Sequence, residues 1–274
     1  MDLSLQVKQA QNGDREALEQ IIKAIQDKIY GLALRMLWHP EDAKDATQEI
    51  LVRIITHLGT FRGESSFVTW VYRVAANALL TIRKSRMEEA GLTFQAFEQD
   101  LDQGISDARV AVSPGLDEAL LLEEVKIGCT QAMLLCLDRP HRLAYILGEI
   151  FELEGPEAAK VMGIAPAAFR KRLSRARSEI VSFMQRKCGL VNPQNACRCR
   201  RRVPQAIKLG RVNPEHLLFA GDAQKAQEFP QVLSTIRQLE QGQRAIALYR
   251  SHPDVTVPKD FVTMIKSLIN QLGA

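Results

Sequence analysis

The chain has 274 residues, 46% of them hydrophobic and 25% charged, with a formal net charge of +4 and a mean hydropathy of −0.13. It is too long for a small disulfide-stapled scaffold, long enough for two domains, and too apolar to be wholly disordered. No apolar run comes near the roughly 18 residues of a membrane span, and the N-terminal stretch with Asp2 and Lys8 lacks the apolar core of a signal peptide, which predicts a cytoplasmic protein with no membrane insertion.

From the N-terminus onward the pattern is helical, with no sustained period-two alternation, and it predicts an all-α fold. Ile21, Ile22, Ile25, Ile29, Leu32, Ala33 and Met36 recur at steps of three and four, the apolar face of one helix. His39-Pro40-Glu41-Asp42 restarts the chain, because proline suits a first helical turn and acids suit the positive end of the helix dipole. That second helix carries Ala46, Ile50, Ile54 and Leu58 on its apolar side and Asp45, Gln48, Glu49, Val52 and Arg53 along another stripe. Gly59 to Ser66 reads as a loop. Phe67, Trp70, Val71, Val74, Ala78 and Ile82 read as the buried face of a third helix, with Arg73, Asn77 and Thr81 in a row on its other side. Residues 10–86 thus make a first helical bundle.

The sign of the charge then changes. From Glu88 to Glu124 ten acids accompany Arg109 alone, and Gly91, Gly104, Pro114 and Gly115 mark residues 87–117 as an acidic linker. Bases concentrate further on, five without an acid from Arg170 to Arg177 and eight without an acid from Arg186 to Arg211. Blocks of one sign point to a polyanionic partner, since solvated faces mix both. In a second domain, residues 118–186, Pro156 to Met162 reads as a short helix and Gly163-Ile164-Ala165 as a turn. Pro166 then opens a long helix that ends at Cys188. Phe169, Leu173, Ala176, Ile180 and Phe183 form its apolar stripe, and Arg170, Lys171, Ser174, Arg175 and Arg177 the remainder. This is the pattern of a helix-turn-helix, whose second helix offers donors to phosphates and base edges. A helical bundle with a basic exposed face is the alternative that the residues leave open.

Residues 187–274 read as a mainly helical extension, through Val232, Ile236 and Leu239 within Gln231 to Arg250, and through Phe261, Ile265, Leu268 and Ile269 within Lys259 to Leu272. Cys188, Cys197 and Cys199 cluster among arginines expected to lower thiol pKa values, which suits a regulatory metal or redox site. Zinc or copper is the metal such sulfurs would take, with His216 as the fourth ligand of a tetrahedral site. Inert cysteines beside a DNA-contacting basic arm are the alternative. Cys129 and Cys136 look like buried small hydrophobes. There is no phosphate-cradling glycine loop, zinc-protease histidine pair or nucleophile elbow, and the five histidines are scattered, so neither catalysis nor a required cofactor is expected. On residues alone, a stand-alone helix-turn-helix regulator and a metal or thiol-redox sensor both stay open.

Two distant segments narrow the choice. Asp42-Ala43-Lys44-Asp45-Ala46-Thr47-Gln48-Glu49, followed by Phe61-Arg62-Gly63-Glu64-Ser65-Ser66-Phe67-Val68-Thr69-Trp70-Val71-Tyr72-Arg73-Val74-Ala75-Ala76-Asn77, resembles region two of the bacterial RNA polymerase sigma factors of the extracytoplasmic-function group. Leu137 to Ala176 resembles their region four, in matching order and separation, so that the resemblance covers residues 10–86 and 118–186. It implies a protein that binds core RNA polymerase, directs it to specific promoters and assists promoter melting, with bond chemistry left to the polymerase. By the same resemblance, Asp45, Gln48, Glu49, Val52 and Arg53 meet the clamp helices of core polymerase. Phe61, Arg62, Glu64, Ser65 and Asn77, with Arg73 and Thr81 beside them, capture an unpaired base of the minus-ten element, where unstacking costs roughly a few kcal/mol. Arg170, Lys171, Ser174, Arg175 and Arg177 read the minus-thirty-five duplex. The resemblance further implies an anti-sigma factor as a partner and an activity-modulating role for the extension. Trp70, at helical spacing among apolar residues, reads as core.

Overall fold

The computed structural model describes residues 3–83, 86–89, 91–108, 117–258, 261 and 267. Its first six helices are α1 (Ser4–Gln11), α2 (Arg15–Leu37), α3 (Pro40–His57), α4 (Phe67–Thr81), α5 (Arg86–Glu89) and α6 (Phe94–Gln103). There follow α7 (Glu118–Leu135), α8 (Arg139–Tyr145), α9 (Gly155–Met162), α10 (Pro166–Lys187), α11 (Cys199–Lys208), α12 (Ala223–Gln238) and α13 (Gln241–Arg250). Among the described residues there is no strand, and two isolated bridges, Cys188 with Cys197 and Asn213 with His216, are the extended pairings present. The all-α expectation is met. The chain divides into two compact units that alternate along the sequence: Met1–Glu89 with Ile146–Arg172 and Asp254–Ala274, and Ala90–Tyr145 with Leu173–Pro253.

The first unit is built on α2, α3 and α4, each packed on the other two, with α1 against α2. Local chemistry sets the helix starts. The Asp14 carboxylate accepts from Ala17 N at 3.1 Å, His39 Nδ1 accepts from Glu41 N at 3.3 Å just before Pro40, and Ser66 Oγ accepts from Thr69 N at 3.1 Å. Ile21, Ile25, Ile29, Leu32 and Met36 of α2 are buried, as are Ala46, Ile50 and Ile54 of α3, the faces that the spacing predicts. On α4 Phe67, Val71 and Ala78 are buried as predicted, but Ala75 and Leu79 join them while Trp70, Val74 and Ile82 are half-buried, so the buried face is turned from the predicted one. The short helix α9 lies on α4. There Thr69 Oγ1 donates to Glu157 Oε1 at 2.7 Å, the Tyr72 and Phe151 rings meet at 5.7 Å, and the Arg35 guanidinium stands 5.5 Å from the Phe151 ring centre. Gly163, at φ +63, closes α9 in the left-handed conformation that glycine adopts freely, with Ile164 N donating back to Ala159 O at 3.1 Å.

The second unit is wrapped around α7, which packs against α8, α11 and α12. The helix is buried around most of its circumference, including Leu121, Val125, Ile127, Met133 and Leu134 and the polar Glu123, Glu124, Lys126, Thr130 and Gln131. Every one of those polar groups that is buried needs a partner, and the chain after α10 supplies several. The Glu124 carboxylate accepts from Leu218 N, Phe219 N and Ala220 N at 2.9, 2.8 and 2.8 Å. Lys126 Nζ pairs with Glu123 at 2.6 Å and sits 3.5 Å from the Phe229 ring centre, and Tyr249 Oη donates to Thr130 O at 2.9 Å. The buried Arg142 closes the other end of α7, donating to Leu134 O at 2.9 Å and Leu137 O at 3.0 Å. Val203, Ala206 and Val212 complete an apolar cluster with Leu121 and Val125.

Two further expectations are changed, and a third falls outside the described residues. The acidic stretch taken as a linker contains α6, capped by Thr93, with Phe97 and Leu101 buried and Phe97 stacked on Phe183 at 5.5 Å. The helix expected over Gln231 to Arg250 is broken where Leu239 and Glu240 adopt extended backbone, giving the end of α12 and a separate α13. Of the helix expected over residues 259–272, nearly all lies outside the described residues. Because three backbone N–H groups converge on one buried carboxylate, Glu124→Ala should lower stability by about 3 kcal/mol, read as a fall in the urea midpoint of the full chain.

Candidate functional site

Three surfaces carry the residues singled out by the sequence. On α3, Asp45, Glu49 and Arg53 are exposed and Gln48 and Val52 half-buried, while Ala46, Ile50 and Ile54 on the other side are buried. Glu49 and Arg53 form an ion pair one turn apart. The stripe is thus a largely exposed face of two acids, an amide, a valine and an arginine on a helix anchored by its other side.

The loop between α3 and α4 is held at several points. Gln11 Nε2 donates to Leu58 O at 2.9 Å and to Phe61 O at 3.0 Å, and Gly63 turns the chain at φ +75. The half-buried Phe61 ring meets Phe67 edge-on at 5.4 Å and Trp70 at 5.6 Å, and Phe67 stacks on Trp70 at 5.7 Å. Trp70 is half-buried rather than core, so its ring extends the aromatic wall that Phe61 begins. On the same loop and helix Arg62, Glu64, Arg73, Asn77 and Thr81 are exposed and Ser65 is half-buried. The Thr81 hydroxyl is engaged with Asn77 O at 2.9 Å, within its own helix. An unstacked base needs a flat surface and hydrogen-bonding groups at its edge; the loop and helix supply an aromatic cluster together with exposed amide, guanidinium and carboxylate side chains. Sequence reasoning assigned Trp70 elsewhere because periodicity separates buried from exposed but does not recognise a ring exposed on one side only.

On α10, Phe169, Ala176, Ile180 and Phe183 are buried, while Arg170, Lys171, Ser174, Arg175 and Arg177 are exposed. The two basic blocks have different fates. The one from Arg186 to Arg211, expected to meet a polyanion, meets the chain's own acids. Lys187 pairs with Glu98 at 3.0 Å and Asp102 at 2.8 Å, Arg200 with Glu118 at 2.9 Å, and Arg201 with Asp107 at 2.7 Å. Asp100 holds both Arg202 at 2.8 Å and Arg211 at 2.7 Å. Arg170, Lys171, Arg172 and Arg175, by contrast, have no acidic partner among the described residues. Segregation along the sequence is therefore largely cancelled in space for one block and kept at Arg170, Lys171, Arg172 and Arg175 of the other.

Cys188, Cys197 and Cys199 are brought together: they line one cavity, with Leu101, Phe183 and Arg202 among its walls. Cys129 lines it too, although its isolated position on an apolar helix reads as a small hydrophobe. His216 is exposed, in the turn that bridges it to Asn213, and is not part of the cavity wall. The arginines do not lower the thiol pKa values as expected. Burial pushes Cys197 up to about 11 and raises Cys129, Cys188 and Cys199, outweighing the opposing pull of Arg198 and Arg202. Burial therefore disfavours the thiolate form at all four positions.

The family model for Sigma-70 region 2 matches residues 21–88. The RNA polymerase sigma-H factor of Pseudomonas aeruginosa is 31% identical over 182 residues, covering 65% of this chain and 92% of that protein. The ECF RNA polymerase sigma factor SigW of Bacillus subtilis is 29% identical over 182 residues, covering 66% of this chain and 95% of that one. Among solved structures, CnrH in complex with the cytosolic domain of CnrY aligns at a TM-score of 0.47 and 20% identity, over 66% of this chain and 96% of that chain. About a third of the present chain lies outside each match.

The contrast between the two basic blocks is measurable. For the full chain on duplex DNA, Lys171→Ala and Arg175→Ala should each make the dependence of log affinity on log salt shallower by about one. Arg201→Ala, which removes a base already held by Asp107, should leave that slope unchanged.

Proposed function

Because the chain belongs to the RNA polymerase sigma factors of the extracytoplasmic-function group, we infer that its polymerase contact and its two DNA-reading sites lie on three separate surfaces, those of α3, of the α3–α4 loop with α4, and of α10. As a sigma factor it directs RNA polymerase in transcription initiation. On this reading the polymerase supplies the bond chemistry, and the chain works where the polymerase does, in the cytoplasm. Among the described residues no helix is long and apolar enough to cross a membrane.

The observation that carries the assignment on α10 is the set of exposed bases, Arg170, Lys171 and Arg175, that no acid of the chain neutralises among the described residues. They stand on the early turns of a helix opened by Pro166 after the Gly163 turn, the geometry in which a second helix enters a major groove with its N-terminal turns facing the bases. Arg170, Lys171, Ser174, Arg175 and Arg177 then read the upstream minus-thirty-five duplex. Phe61 and Trp70 supply a stacking wall for an unpaired base of the minus-ten element. Asn77, Arg73, Arg62, Glu64 and Ser65 surround it with hydrogen-bonding groups. Asp45, Gln48, Glu49, Val52 and Arg53 bind core polymerase. Division of the DNA contacts between two surfaces explains why polymerase is needed: each site alone is small, and the enzyme holds both in register.

Charge reversal tests the polymerase surface directly. Asp45→Lys together with Glu49→Lys should weaken assembly with core polymerase about tenfold or more with an unchanged thermal midpoint, since both residues are exposed; unchanged assembly would assign the contact to another face. The minus-ten assignment predicts that Phe61→Ala holoenzyme binds promoter DNA but opens it poorly. A permanganate footprint should show fewer reactive thymines in the melted region, and a normal footprint would remove Phe61 from the pocket.

A further inference from the structure

The cysteines are the cluster for which DNA and polymerase binding provide no role. Four of the five come from separate places in the second unit: Cys129 from α7, Cys188 from the residue after α10, Cys197 from the following loop and Cys199 from the first residue of α11. They wall a single cavity of about 30 Å³, room for one ion or one water. The other walls include Leu101, Val125, Met133 and Phe183; the four thiols are the sulfurs able to become anionic, the Met133 thioether being a weaker soft donor, and no carboxylate or imidazole competes.

The backbone that delivers them is tightly specified. Gly189 N donates to Cys197 O at 3.1 Å, setting the backbone at Cys188 and Cys197 side by side in an isolated bridge. A Cβ on Gly189 would fall 2.2 Å from Cys197 O, so only glycine permits that approach. The Asn195 side chain donates to Gln185 O at 2.9 Å and Cys188 O at 3.3 Å, and the Asn192 side chain donates to Gln185 O at 3.1 Å. Arg198 fastens the same loop through Cys197 O at 2.9 Å and Pro193 O at 2.8 Å. An eleven-residue turn that spends its glycine, two asparagines and an arginine on returning one cysteine to another is built to present sulfur, whereas cysteines serving as small hydrophobes need no such loop.

We propose that Cys129, Cys188, Cys197 and Cys199 bind one divalent cation of the zinc class as a four-thiolate site in the cavity that they line. An all-sulfur donor set selects zinc or a similarly thiophilic ion over magnesium or calcium. Among the described residues no three His, Cys, Asp or Glu side chains are already gathered at ligand distances. The sulfurs share the cavity as neutral thiols, and the cation completes its sphere by turning them about their Cα–Cβ bonds between staggered wells. On binding, each thiol releases its proton to solvent, and the dianionic centre so formed meets Arg202, which lines the cavity, and the N-terminus of α11, where backbone N–H groups favour negative charge. The bound ion ties α7 and α11 to the end of α10. The extension would thereby be locked to the helix proposed to read DNA.

The full chain, purified under reducing conditions with zinc and freed of loosely held metal, should retain about one zinc per chain. Cys136→Ser, removing a thiol that donates to Ala132 O outside the cavity, and His216→Ala should retain the same amount. Cys129→Ser and Cys199→Ser should lower zinc affinity about tenfold or more. Cobalt(II) in the unmodified chain provides a test that needs no folded variant, and should give the intense visible bands of a tetrahedral ion with the charge-transfer absorption of four thiolates. A reduced chain that takes up neither metal would overturn the proposal, as would an octahedral cobalt spectrum, loss of zinc in His216→Ala, or full zinc affinity in Cys129→Ser. A Cys188–Cys197 disulfide in the chain isolated from cells, seen as a mass lower by two hydrogens, would equally overturn it.

Discussion

The side chain of Arg202 is only 7% exposed, and its guanidinium donates to the Asp100 carboxylate and to the carbonyls of Asp100 and Leu101. A charge taken out of water is tolerated only when it is paired and its donors are filled, so this one residue requires that α6 lie over α11. Much follows from that requirement. Phe97 and Leu101 on the same helix reach the second unit's core, Lys187 comes within reach of Glu98 and Asp102, and Arg211 shares Asp100. The most acidic and the most basic stretches of the chain thereby neutralise each other. The bases on the early turns of α10 remain facing solvent, which is why that surface, rather than the longer basic block, is suited to a phosphate backbone.

Helix α7 plays the complementary part. A helix buried on all sides by apolar contacts alone could settle in more than one rotation, because such contacts are undirected. Here Glu124, Thr130 and the carbonyls capped by Arg142 each accept specified donors: the backbone of residues 218–220, Tyr249 Oη and a guanidinium. The direction of those bonds sets the register between α7 and the segments C-terminal to α10. The segments that follow α10, up to Pro253, are in this way part of the second unit's interior rather than an appendage to it.

In the first unit the same economy frames the surface proposed to hold a base. Ser66 caps α4, Gln11 fixes the carbonyls of Leu58 and Phe61, and Gly63 makes the turn, so that Phe61 is held against Phe67 and Trp70 before any ligand arrives. A wall organised beforehand spares the ordering cost that a mobile aromatic side chain would add to binding. The exposed stripe on α3 lies on a helix whose other side is sealed in the three-helix core, which gives the residues proposed to meet polymerase a rigid support.

The helices of the first unit and the helix-turn-helix were legible in the sequence because their signals are local. Period-three-to-four apolar spacing, Pro40 and Pro166 at helix starts, and Gly163 at a stop each act through neighbouring backbone within a turn or two. The exposed rows on α3, α4 and α10 followed from the same periodicity, and their functional reading from motif resemblance. What required the tertiary structure was pairing between residues far apart in the chain. The acidic stretch reads as a linker until Asp100 meets Arg202, Trp70 reads as core until Phe61 packs beside it, and Cys129 reads as a small hydrophobe until the loop after Gly189 brings three more thiols to the same cavity. The rise in thiol pKa belongs to the same class, since an arginine next in sequence says nothing about desolvation, and burial, a property of the packed fold, dominates it. Local geometry is written in residue order, but charge partners, solvent exposure and shared cavities arise only when distant segments meet.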